Sequence, residues 1–98
     1  MQRSTALSRL TAFEPELRAM GVSGLSLFGS VARDEAGPAS DVDIVVRLDE
    51  TRNLDLIDSA QINLRLQEML GAKVDLVTEP ARKPRFQAQI DRDRVHAF

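Results

Sequence analysis

Residues 25–46 read LSLFGSVARDEAGPASDVDIVV and hold two strand signals joined by a polar connection. Leu25 to Phe28 is a short apolar run between Gly24 and Gly29, the pattern of a buried strand. From Val42 to Leu48, Val42, Ile44, Val46 and Leu48 alternate with Asp43, Val45 and Arg47, so one strand face is wholly apolar. Between the two, Ser30 to Glu35 suits one or two helical turns, and Gly37, Pro38, Ala39 and Ser40 carry turn chemistry. If Gly29-Ser30, ending the first strand, is to lie beside Asp41-Val42-Asp43, starting the second, the strands must run antiparallel. The ten residues Val31 to Ser40 allow that.

On the N-terminal side, Leu7, Leu10, Phe13, Leu17 and Met20 form a helical stripe that Ser4 is placed to cap and Gly21 to end. Pro15 falls inside it, which predicts two short helices or a kink near Glu14. Leu54 to Leu70 predicts the longest helix, with Asn53 as its cap and Gly71 as its stop. Its apolar residues, from Leu56 and Ile57 through Leu64 to Leu70, span a wider arc than one buried face needs, leaving part of it for a partner. Lys73 to Val77 alternates Val74 and Leu76 with Asp75 as a third strand, and Ala81 to Arg94 predicts a helix with Phe86 and Ile90 inward. Val95 to Phe98 suits a short edge strand.

The chain has 98 residues, room for one domain. A composition of 43% apolar and 29% charged residues is that of a globular chain with a thin core. There is no cysteine, which removes disulfides, thiolate catalysis and Cys-ligated zinc and fits a cytoplasmic setting. A net charge of −2 gives no global pull toward nucleic acid or an anionic membrane, and no apolar run approaches the roughly 20 residues of a membrane span. The N-terminal residues lack the apolar core of a signal peptide.

Side chains two apart on a strand share a face, so Asp41 and Asp43 form a carboxylate pair opposite Val42 and Ile44. Asp75 alternates with two core positions and faces the same open side. Convergent carboxylates repel unless a cation neutralises them, and hard oxygen donors select magnesium or manganese, whose remaining positions go to water and phosphate. Gly29 lets backbone approach a phosphate closely, and Ser30 adds a hydroxyl and the free N–H groups of a helix start. An Asp-x-Asp alone carries no weight among nine aspartates. Asp91 and Asp93 form a second, interleaved with Arg92 and Arg94, that reads as a solvated face. The preceding Gly-Ser and the third strand aspartate make the first pair a signal.

Residues 25–46, followed by GAKVDLVT at 71–78, resemble the minimal nucleotidyltransferase family of the DNA polymerase beta-like superfamily, whose signature is Gly-Ser, ten residues, Asp-x-Asp and a later strand Asp. The resemblance implies an α/β (α+β) fold: one domain over residues 1–98 with a small three- to four-stranded mixed sheet flanked by helices. It implies that Gly29 and Ser30 bind the triphosphate, with Arg33 nearby, and that Asp41, Asp43 and Asp75 are catalytic and ligate two magnesium ions, manganese being the alternative. ATP is then the substrate, and AMP passes to a hydroxyl. Members of this family often act as antitoxins that add AMP to a tyrosine of a small helical HEPN ribonuclease toxin. This chain has no tyrosine, so transfer in trans is expected.

One departure stands out, since the family commonly has Gly after the arginine and here Asp34 places an extra carboxylate near the phosphate site. Two other functions compete with adenylyl transfer to a toxin. One is a non-catalytic module that neutralises a helical partner by contact. The other is an antibiotic-type transferase, for which this length leaves no acceptor domain. The basic residues Arg82, Lys83, Arg85, Arg92 and Arg94 lack interleaved stacking aromatics beyond Phe86 and read as a solvated face, not a nucleic-acid site. His96 stands alone and is assigned no function.

Overall fold

The apolar face read from Val42, Ile44 and Val46 is the floor of the core in the computed structural model, which describes residues 1–98. Strand β2 (Val42–Leu48) has the predicted bounds and pairs antiparallel with β1 (Val22–Phe28) and parallel with β3 (Val74–Thr78). A two-residue strand, β4 (Val95–His96), pairs antiparallel with β1 and completes a four-stranded sheet in the order β3-β2-β1-β4. Strand β1 starts three residues earlier than predicted. A register irregularity between Val22 and Gly24 absorbs the glycine inside the strand, where turn chemistry alone would end it.

Helices α1 (Arg3–Ala12), α2 (Glu14–Ala19) and α4 (Leu56–Leu70) cover the apolar face. Leu10, Leu17, Ile62, Leu66 and Leu70 are sealed against Val42 and Ile44, each burial contributing about 1.5–3 kcal/mol. Pro15 lies in the first turn of α2, where its missing N–H costs nothing, so the stripe splits into two short helices.

Both predicted caps move. Ser4 lies inside α1, whose first N–H, on Arg3, donates to Asp34 Oδ1 at 3.0 Å. Asn53 is bypassed, and Asp55 caps α4 in a reciprocal box with Asp58, at 3.0 and 2.9 Å. At the other end Gly71 takes φ 64° and closes α4 as predicted.

The second face of the sheet is less open than its polar pattern suggests. Helix α5 (Pro84–Asp93) crosses it and buries Ile90 against Val45 and Phe28. What stays open lies at one end, where β1 finishes and β2 and β3 begin. No helix is long and apolar enough to cross a membrane.

Candidate active site

The end of β1 turns into a single helical turn, α3 (Gly29–Ala32), through Gly29 at φ +69°. A Cβ there would lie 2.1 Å from Asp43 Oδ2 and 3.0 Å from its Cγ, so the glycine backbone is pressed against the carboxylate. The first bond of the turn runs from the Arg33 N–H to the Gly29 carbonyl at 3.1 Å. The N–H groups ahead of it have no helical partner and are suited to phosphate oxygens. Ser30 is half-buried at the same rim.

Register brings the carboxylates to this turn. Phe28, beside Gly29, is opposite Asp43, and Asp43 is the direct neighbour of Asp75 across the parallel β2–β3 pair. Asp41 lies one residue ahead of β2, exposed, and Asp75 is exposed as well. Burial first, then the charges of Asp75 and Asp41, push the Asp43 carboxyl above the usual carboxylate range, and Arg33 offsets this only partly.

The aspartates do not form a closed cage, and no three acidic or imidazole groups are gathered tightly enough to hold an ion alone. Such a donor set fits magnesium. It supplies hard oxygens and negative charge that Arg33 offsets only partly, and magnesium ordinarily completes its shell with water and phosphate.

Arg33 is exposed and paired with Glu35 at 3.1 Å and Asp93 at 2.7 Å, so it ties α3 to α5 while its charge still reaches Asp43. Asp34, the extra carboxylate expected near a phosphate, has a partner in the fold that the sequence does not show. It sits at φ 60°, in the left-handed region where glycine is at ease and Asp is tolerated, and its side chain is spent on the start of α1. Asp34→Ala should therefore lose that bond and keep the backbone strain, costing roughly 1–2 kcal/mol. Thermal melts should fall by about 5–10 °C, with magnesium-ATP affinity held within about twofold. A large change in affinity at unchanged stability would place Asp34 in the nucleotide site instead.

Helical spacing puts Phe86 on the inward face with Ile90, yet Phe86 is 37% exposed while Ile90 is sealed. The first turn of α5 packs on the segment after β3, where Gln87 accepts from the Ala81 N–H, and the Phe86 side chain reaches from there toward the end of β1, which spacing within one helix does not reveal. There the Phe86 ring meets Phe28 edge to face at 5.9 Å between centroids. A second cleft, of about 240 Å³ beside Arg47, Arg94 and His96, lies toward the other end of the sheet.

A Gly-Ser turn backed by strand carboxylates on a small mixed sheet defines a nucleotidyltransferase. The nucleotidyltransferase domain family matches residues 10–95, and the chain belongs to it. The protein adenylyltransferase MntA of Thermococcus cleftensis is 37% identical over 90 residues, 91% of this chain and 89% of that protein. A Methanocaldococcus jannaschii protein described as a candidate protein adenylyltransferase is 36% identical over 81 residues, covering 83% and 85%. A solved structure of a candidate minimal nucleotidyltransferase matches with a TM-score of 0.81 at 36% identity over 97% and 95% of the two chains. The same fold occurs in a complex of a tri-AMPylated Shewanella oneidensis HEPN toxin with an MNT antitoxin, at TM-score 0.66 and 21% identity over 94% and 71%.

Proposed function

We propose that this chain is a magnesium-dependent protein adenylyltransferase that moves AMP from ATP onto a tyrosine hydroxyl of a HEPN ribonuclease toxin, and so acts as its antitoxin. The observation that carries the reading is the contact between Gly29 and Asp43, with Asp75 in register beside them. A glycine turn fitted against a strand carboxylate supports a shared phosphate and cation site. Kinship with MntA of Thermococcus cleftensis supports a protein acceptor.

In the transfer, the acceptor oxygen bonds to the α-phosphorus of ATP, the bond to the β-phosphate breaks, and pyrophosphate leaves. Gly29 and Ser30 hold the phosphates through backbone N–H groups and a hydroxyl. Asp41, Asp43 and Asp75 would hold the magnesium, which when bound supplies charge neutralisation for the phosphates. Asp75, the more open of the two strand carboxylates, would take the hydroxyl proton. Because the chain has no tyrosine, an acceptor phenol belongs to another protein. The exposed stripe of Leu56, Ile57 and Leu64 on α4 is surface for such a partner.

Co-expression with the product of the neighbouring gene, followed by intact-mass analysis of that product as the candidate toxin, tests the proposal. The toxin should gain one or more AMP units, and Asp41→Asn or Asp75→Asn should abolish both the gain and the protection of cells. Protection that survives either substitution, with no mass added, would identify a contact inhibitor.

A further inference from the structure

We propose that the cleft between α3 and α5 is a purine-base subsite in which Phe86 stacks on the base and Gln89 reads its edge. The inference rests on the adenylyl-transfer reading and narrows it to a base preference. The cleft measures about 360 Å³, and Phe28, Gly29, Phe86, Gln89 and Arg92 are among its walls. That volume lies within the roughly 300–1,000 Å³ range of small-molecule sites. One wall is the turn assigned to the phosphates, so a nucleotide anchored at Gly29 has its base within reach of α5.

Phe86, Gln89 and Asp93 follow at i, i+3 and i+7 and form one stripe of α5. Its far end is fixed to α3 by the Arg33–Asp93 ion pair at 2.7 Å. Ile90 already anchors the helix in the core, so Phe86 is not needed to close it. Phe86 is also the one aromatic among the large apolar side chains left exposed, the others being aliphatic residues of α4. Its edge-to-face contact with Phe28 holds the ring in one orientation, which lowers the entropy cost of stacking a base on it. A Gln amide offers a donor beside an acceptor, as does the N6/N7 edge of adenine. The corresponding edge of guanine offers two acceptors.

Calorimetric titration with ATP, GTP and inorganic tripolyphosphate, each with magnesium, separates base from phosphate. Wild-type protein should bind ATP more tightly than tripolyphosphate and more tightly than GTP. Phe86→Ala should weaken ATP about tenfold and leave tripolyphosphate within twofold. Phe86→Leu keeps an apolar side chain over Phe28, and so the fold, but should lose the same ATP affinity, and Phe86→Tyr should retain it. Gln89→Ala should bring ATP down toward GTP. If ATP and tripolyphosphate weaken together, or neither changes, Phe86 is structural and the subsite is wrong. Wild-type protein that binds ATP no better than tripolyphosphate overturns the subsite alone, whereas protein that binds neither overturns adenylyl transfer with it.

Discussion

Asp43→Asn should lower nucleotidyl transfer on the order of 10³-fold while making the ligand-free protein more stable. The two effects share a cause. Asp43 is half-buried, faces Asp75 directly and has Asp41 two residues away, so its ionised form is disfavoured in the folded chain. Its folded pKa lies above the unfolded value, and the penalty is fully present at neutral pH. As pH falls through the raised titration range the penalty fades, and it is gone once the group is protonated in both states. Asn carries none of it at any pH. Because solvent still reaches the group the gain is screened, so it should read as a small rise in melting temperature at pH 7 that shrinks as the pH is lowered. Magnesium-ATP should reverse the order, raising the melting temperature of the wild type and leaving Asp43→Asn unmoved. An Asn variant that is less stable than wild type without ligand, or equally stabilised by magnesium-ATP, would show that the carboxylate is a structural group.

Much of this arrangement is legible from residue order, and the limits have physical reasons. The strand Val42–Leu48 reads correctly end to end because alternation is the direct consequence of a half-buried pleat. The same alternation cannot show what covers the opposite face. Val45 looks like a break in a polar series until α5 is seen to lay Ile90 across it. Caps fail for another reason. Asp55 and Asp58 make a box that Asn53 cannot match, and the start of α1 takes its cap from Asp34, 31 residues away in sequence. Long-range contacts of that kind leave no trace in local spacing. They also bear on the extra carboxylate near the site, since Asp34 Oδ1 is engaged by the start of α1. The carboxylates and the Gly-Ser turn are visible in the sequence because the chemistry demands those residue types. The contact of Gly29 with Asp43 is not, because it depends on the register of β1 against β2.

That contact leaves no room for a side chain at residue 29. Gly29→Ala should cost roughly 2–4 kcal/mol, lower the melting temperature by about 10–20 °C and reduce transfer about 10²-fold or more. The backbone contribution comes from φ +69°, which a Cβ disfavours by about 1–2 kcal/mol. The remainder is steric. All three nearest atoms to the added methyl belong to Asp43, its Oδ2 at 2.1 Å, Cγ at 3.0 Å and Cβ at 3.3 Å. Strand β2 is paired on both sides, so the side chain must rotate away while the strand stays in place. Rotation carries the carboxylate off the site, and activity is lost without any change to a reacting group. A double-mutant cycle isolates this. In an Asp43→Ala background the oxygen and Cγ are gone and only the Cβ at 3.3 Å remains, so Gly29→Ala should cost little beyond its backbone share of about 1–2 kcal/mol. The difference between backgrounds measures how firmly the phosphate turn and the carboxylate are fitted to each other. If the two substitutions prove additive in stability, the turn and the carboxylate are independent parts, and the link between phosphate binding and carboxylate placement is wrong.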